Sequence, residues 1–502
     1  MKKVRLIILI ILGSFTFNSC SDWLYLEPQD GIIVQEFWKS KEDVEAAVMG
    51  CYASLLGNNQ GSGYDIPQQL FLWGELRADM VTTSRLNTDF QYVVNGDILP
   101  DNRLCEWGAF YRTINYCNTV LHYAPGVQDV DPSFTTKALQ HYEGEAYGLR
   151  ALMYFYLVRV FDEVPLKTNA TTNDGEKFAV PKSSRTEIFN LIKSDLKKAE
   201  EYAPESYGDI ASNKGRLTKY AINAIQADVY LWTEQYDSAL LACNKVIDGK
   251  KYSLVPGDKE WFTTLYGTGN SIESIFELQF SQDKQNPYYN IFRTRRYLVA
   301  SPVAIEEYFP QDEYTLPQDA DVRADGGSYK SSDNYSIWKY LGINREDLRA
   351  ESESWAHFII YRYADILLMK SEALAQLNRG QDALDLIHQI RNRAKASKIS
   401  DVWGGATDKR SVNEFLLAER AREFAYEGKR WFDILRFARR NHYENKQLLI
   451  DMVLKAAPPD KQLTIKNKYE DTLSHYLPIY FGELDANPAL VQNPFYETQQ
   501  NF

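Results

Sequence analysis

One run of the chain places Glu419, Arg420, Arg422, Glu423, Glu427, Arg430, Asp433 and Arg436 close together. Alternating carboxylates and guanidiniums could serve acid–base chemistry. The same residues also fall three or four apart, which is the spacing of ion pairs along one helix face, and that reading carries more weight. The six histidines, His122, His141, His357, His388, His442 and His475, form neither an HExxH motif nor an i,i+4 pair. A GxSxG nucleophile elbow, a phosphate-binding glycine loop and an EF-hand are also missing, and Gly267 and Gly269 lack the third glycine of a dinucleotide site. Two facing carboxylates could make a glycosidase pair, but no spacing in the sequence pairs them. The expectation is a non-enzyme that uses no metal or cofactor.

Aromatic loops offer better chemistry. Sugars present apolar C–H faces and many hydroxyls, so their sites combine aromatic platforms with Arg, Asn, Asp or Gln. Residues 85–92, 286–297 and 329–340 have that mixture. The candidate ligand residues are Arg85, Asn87, Phe90, Tyr92, Tyr288, Tyr289, Arg293, Tyr335 and Trp338. The competing reading for any one aromatic is that it fills a local core beneath its loop.

Helices must hold those loops. Within residues 361–396, Ala364, Leu367, Ser371 and Leu374, continuing the phase of Ile360, recur at helical steps. Ala383, Ile387, Ile390 and Ala394 repeat the pattern, and Asn378, Arg379 and Gly380 between them predict a turn, with Gly380 taking the left-handed conformation. This is an αα-hairpin with small residues at the crossing, the unit of tetratricopeptide arrays. Residues 218–247 predict a second hairpin, in which Ala227, Tyr230 and Ala239 take the template positions. Further helices are predicted over 40–56, 67–83, 106–123, 137–161, 185–202 and 413–440, the last with a break near Gly428. Residues 85–103 read as irregular, and 274–281 as a strand of alternating polarity. The fold class is mainly α, a tetratricopeptide-like helical-hairpin scaffold with a large, loop-rich, partly β ligand-binding region. The expected parts are a 1–19 signal peptide, a 20–249 helical-hairpin part and a 250–502 part. The last divides into a 250–355 binding insertion, 356–440 scaffold helices and a 441–502 tail.

Composition narrows the function. The 502 residues carry a net charge of −12 and 34 tyrosines. An acidic chain lacks the basic footprint of a general nucleic-acid binder. Cys51, Cys105, Cys117 and Cys243 show no metal or disulfide spacing and read as small buried hydrophobes. At the N-terminus, Lys2, Lys3 and Arg5 precede the apolar run 6–12, and Cys20 follows Phe17, Asn18 and Ser19. This reads as a secretory signal ending in a lipobox, with Cys20 the acylated first residue of the mature chain. Such an anchor holds a protein at a membrane without spanning it.

Several ordered motifs resemble the SusD/RagB family of outer-membrane nutrient-binding lipoproteins. They are Cys20 followed by Ser-Asp-x-Leu, LRALMYFYLVRVFDEVPL at 149–166, Gly-Arg-Leu-Thr-Lys at 215–219, the 361–396 hairpin, ERAREFAYEGKRWFDILRFAR at 419–439 and LPIYFGELDANPALVQNPFY at 477–496. Tyr480 and Phe495 depart from the family's usual Pro and Gly. The resemblance implies a lipid-anchored protein on the outer face of the outer membrane. It would bind oligosaccharide and deliver it to a SusC-like TonB-dependent transporter, without catalysis. A peptide ligand, as in RagB-type relatives, is the alternative. A glycan-degrading enzyme and a tetratricopeptide lipoprotein that assembles outer-membrane proteins are weaker ones.

Overall fold

Short polar caps and apolar stripes set the helix boundaries. Ser40 begins α1 (Lys41–Leu55), accepting from Asp43 N while the Asp43 carboxylate accepts from Ser40 N at 2.8 Å. The same device at Ser184 and Glu187 starts α6 (Arg185–Tyr202). The computed structural model describes residues 37–57, 63–172, 179–310, 320–401 and 404–497. The signal-peptide and Cys20 expectations lie outside the described residues.

Helices dominate the described residues. After α1 come α2 (Ile66–Glu75), α3 (Thr88–Val94), α4 (Gly108–Val127), α5 (Thr136–Phe161), α6, α7 (Ile210–Gly215), α8 (Lys219–Trp232) and α9 (Tyr236–Asp248). The second half holds α10 (Pro302–Tyr308), α11 (Tyr363–Gln376), α12 (Gly380–Ala394), α13 (Lys409–Glu423) and α14 (Arg430–Tyr443), and then α15 (Lys446–Ala456), α16 (Gln462–Tyr469), α17 (Phe481–Ala486) and α18 (Pro494–Glu497). Consecutive helices pack in pairs: α4 on α5, α5 on α6, α8 on α9 and α11 on α12. α9 also packs on α11, which joins the two predicted hairpins into one stack. Among the described residues six short strands form three antiparallel pairs: β1 (Val81–Thr83) with β3 (Leu298–Ala300), β2 (Ser274–Leu278) with β6 (Phe358–Arg362), and β4 (Tyr329–Lys330) with β5 (Ser336–Ile337). Among the described residues no strands close into a barrel, and no helix is long and apolar enough to cross a membrane.

The 361–396 hairpin forms as α11 and α12, with a different turn chemistry. Asn378, not Gly380, takes the left-handed backbone, at φ +61°. Gly380 opens α12, and a Cβ there would lie 1.9 Å from the Ala406 carbonyl oxygen. Its small size serves a close approach rather than the turn. Ser371 Oγ donates to the Ala383 carbonyl at 2.9 Å across the crossing. Ile360 and Tyr361 belong to β6 instead of the helix.

Other expectations need correction. Residues 67–83 form α2 and then β1, so Met80 lies beyond the helix. Residues 85–103 are not irregular throughout, because Asn87 caps α3. All of β2 is buried, Glu277 included, which accepts from Ser274 Oγ at 2.8 Å. Its polarity alternation therefore marks an internal bond, not a solvent face. The expected break of the 413–440 helix near Gly428 is present, with Tyr426 and Gly428 both at positive φ between α13 and α14, but α13 begins at Lys409 and α14 runs to Tyr443. The tail is more helical than its Pro and Asn content suggests. The four cysteines are buried and unbridged.

The charged run is not a solvated helix stripe. Glu419 and Glu423 are wholly buried. Only Arg422–Glu419 and Arg436–Asp433 pair within one helix at i,i+3. Glu419 accepts from Arg323 at 2.6 Å and Arg391 at 2.9 Å. Glu423 accepts from Arg323, Arg362 and Arg393. Glu427 accepts from Lys339 at 2.7 Å, Arg362 at 3.0 Å and the Tyr266 hydroxyl at 2.9 Å. Arg430 reaches Asp79 at 2.8 Å, and Arg436 reaches Glu372 at 2.7 Å. Buried charges are tolerable only when they are paired, and Glu419, Glu423 and Glu427 each have two or more cationic partners, while Arg422 is held by Glu419 alone among the described residues. Tyr266, Arg323 and Lys339 come from the loop-rich region, so the network fastens that region to the scaffold helices.

Candidate functional site

Strand pairing gathers the three aromatic loops. Val81, Thr82 and Thr83 of β1 lie opposite Ala300, Val299 and Leu298 of β3. The pairing continues with Ser84 N donating to Tyr297 O at 2.8 Å. On the other side of β3, Ala300 N donates to Tyr335 O at 2.9 Å. Segments 85–92, 286–297 and 329–340 are therefore neighbours, although about 200 residues of chain separate the first from the second.

Within this cluster the candidate residues divide by where they point. Arg85 and Tyr92 are exposed, Tyr92 by 43%. Tyr335 is 39% exposed at the tip between β4 and β5. Tyr289 and Arg293 are half-buried. The remaining four are packing or capping residues as placed. Asn87 Oδ1 accepts from Phe90 N at 3.1 Å to cap α3. Phe90 is buried between Tyr64 and Tyr297, with ring centroids at 5.7 and 5.8 Å. Tyr288 is wholly buried, donates to Pro67 O at 2.8 Å and packs on Tyr340 at 4.4 Å. Trp338 is 3% exposed, and its Nε1 donates to Asn344 O at 2.8 Å. Burial, with the polar donor satisfied where the ring carries one, is the mark of a core aromatic, so Phe90, Tyr288 and Trp338 support the loops from below.

The surface carries charge and backbone strain. The Asp333 carboxylate accepts from Arg293 and from Arg296, the latter at 3.0 Å, and from Ser336 Oγ at 2.6 Å. Burial pushes its pKa up, but those hydrogen bonds outweigh it and hold the carboxyl below its ordinary value. Arg296, Asn334 and Tyr335 all sit at positive φ, at +48°, +55° and +57°. Such backbone persists only where its surroundings hold it, and it collects at binding sites. Arg295, Arg296 and Tyr297 were not singled out by the sequence reading, though the run Arg293-Thr-Arg-Arg-Tyr297 was visible there.

A separate groove of ≈ 390 Å³ runs between α4, residues 165–171 and α17. Its amides are already engaged: Asn118 Nδ2 donates to Lys167 O and Asn169 O, and Asn487 Nδ2 to Val180 O. No group of three or more His, Cys, Asp or Glu among the described residues is arranged to hold a metal ion.

Comparison with known proteins agrees with this architecture. A family profile described as "SusD family" matches residues 289–496, and one described as "Starch-binding associating with outer membrane" matches residues 25–231. A SusD-like protein of Formosa agariphila is 27% identical, over 98% of this chain and 99% of its own. A second from the same organism is 25% identical over 87% of this chain and 91% of its own. Among solved structures, a SusD superfamily protein from Bacteroides vulgatus superposes with a TM-score of 0.75 at 22% identity, covering 91% of this chain and all of its own (100%). One from Bacteroides thetaiotaomicron gives 0.71 at 21% identity, covering 91% and 99%. Likeness at that identity speaks for the fold alone. With two profiles covering most of the chain between them and relatives matched nearly end to end, the chain belongs to the SusD/RagB family.

Proposed function

We propose that this chain is a non-catalytic, cell-surface lipoprotein of the outer membrane that binds oligosaccharide and passes it to a SusC-like TonB-dependent transporter. The observation that carries this reading is the convergence of the three aromatic loops through β1, β3 and the backbone bond to Tyr335. Tyr92, Tyr289 and Tyr335 offer faces for the C–H surface of a sugar ring. Arg85 and Arg293 offer donors for its hydroxyls, and a guanidinium can serve two oxygens at once. The scaffold beneath is fixed by buried ion pairs, so the face is presented with little ordering left to do on binding.

Membrane attachment rests on Cys20 and the signal-like residues before it, and on the printed description of the profile matching 25–231. The transporter is proposed from the family resemblance.

A glycan array probed with the purified chain tests the reading. Oligosaccharides should be retained and recovered unchanged, and the chain should co-purify with a β-barrel transporter. Release of reducing ends would make it an enzyme instead. Retention of peptides with no saccharide would move it to the peptide-binding branch.

A further inference from the structure

The arginines of this face are treated differently from the arginines of the scaffold. Arg323, Arg362, Arg391 and Arg430 are buried, and each is paired with one or more carboxylates. On the loop face, Arg293 and Arg296 share the single carboxylate of Asp333. Arg85 and Arg295 are exposed and pair with no carboxylate among the described residues. Arg85 follows Ser84, whose N–H is bonded to Tyr297 O, so Arg85 and Arg296 flank one backbone bridge.

Other charges in the three loops are cancelled in place. Asp89 accepts from Arg103 at 2.9 Å, Lys330 donates to Glu346 at 2.6 Å, and Lys339 is buried against Glu427. Two further acids touch the cluster among the described residues: Glu351 accepts from Thr294 Oγ1 at 3.0 Å, and Asp325 accepts from Ser331 N at 3.0 Å, which still leaves Arg85, Arg293, Arg295 and Arg296 outnumbering Asp333, Glu351 and Asp325. A positive excess therefore remains on a protein whose net charge is −12. A neutral sugar gives no use for that excess. An oxyanion does, because guanidinium forks match the geometry of carboxylate and sulfate oxygens.

We infer that the face formed by Arg85, Arg293, Arg295 and Arg296 beside Tyr289 and Tyr335 takes an acidic oligosaccharide, one bearing carboxylate or sulfate groups. This rests on the glycan-binding reading above and narrows its ligand class. Asp333 holds Arg293 and Arg296 in place, and the two unpaired guanidiniums supply the charge that the ligand neutralises. The tyrosines hold the ring faces between the anionic groups.

The test is an array in which each acidic oligosaccharide stands beside its neutral twin. Oligogalacturonates are paired with their carboxyl-reduced forms, and sulfated galactans with their desulfated forms. The full chain is applied in detergent micelles. The acidic members should bind at least about tenfold more tightly than their twins, a difference one or two charge-assisted hydrogen bonds can supply. The pair that responds identifies the anion as uronate or sulfate. Binding should weaken as NaCl is raised from about 0.05 to about 0.5 M, since screening shortens the reach of exposed charges. Arg85→Gln with Arg295→Gln should lose about tenfold on the acidic probe at an unchanged melting temperature, because neither side chain holds the fold. Equal binding of acidic and neutral twins, or a double variant that binds like wild type, would overturn the acidic-ligand inference and leave glycan binding standing. Failure to retain any member, acidic or neutral, would overturn the glycan reading itself and this inference with it.

Discussion

Trp338 and Tyr335 stand three positions apart and have opposite environments. Composition alone made both platform candidates, because an aromatic-rich polar loop shows no period from which to tell its two sides. The structure buries Trp338 against Asn344 and Gly342 and leaves Tyr335 on the turn. Trp338→Ala should therefore cost about 3–5 kcal/mol of stability, read in a denaturant melt. Tyr335→Ala should leave that melt unchanged. A Trp338→Ala protein as stable as wild type would show that the ring is not part of the core. The same blindness applied to the charged run. Its i,i+3 and i,i+4 spacing was legible, but its partners Arg323, Arg362, Arg391 and Asp79 lie far away in sequence, and burial could not be read from charge. Removing one member strands the others, so Arg362→Ala should cost about 3–5 kcal/mol and expose the effect in a thermal melt.

Helices were the legible elements, and strands and turns were not. α5, α6 and both hairpins follow apolar periods long enough to read, and they lie within one or two residues of their predicted bounds except at a few ends. β1 and β3 have only three residues each, too few for any period, yet they bring the loops together. The short helix at Thr88–Val94 was hidden by polar residues, one of which, Asn87, proved to be its cap. Glycine conveys little until its neighbours are known. A Cβ at Gly74 in α2 would lie 1.8 Å from the Gly428 carbonyl oxygen, so this glycine sets how closely α2 approaches the α13–α14 link. Gly74→Ala should destabilise by about 1–3 kcal/mol or more, as overpacking does, and a chemical denaturation curve would show it. An unchanged midpoint would mean that the link yields freely.

At the scale of the molecule, the buried network makes stability depend on acid. Burial would raise the carboxyls of Glu372, Glu419 and Glu427, but the surrounding guanidiniums, and Lys339 at Glu427, outweigh it and hold each at about 2. A folded value below the unfolded one gives stability that is fully present above the unfolded value and lost as pH falls. The melting temperature should fall as pH drops from about 4.5 to 2, and a flat profile there would contradict the network's ionic character. Attachment belongs to this scale too. Cys20→Ser should move the protein from the membrane fraction to the soluble one, and unchanged retention would remove the lipid anchor from the proposal.

The central claim is that a rigid helical scaffold presents one tyrosine-bearing loop face to a saccharide. Its most direct test is the dissociation constant of an array-selected oligosaccharide for the Tyr92→Ala, Tyr335→Ala double variant, measured by calorimetry beside the variant's melting temperature. The account predicts an affinity at least about tenfold weaker with the melting temperature unchanged, since both rings are exposed. Wild-type affinity in that variant would contradict the account and place the saccharide elsewhere on the molecule.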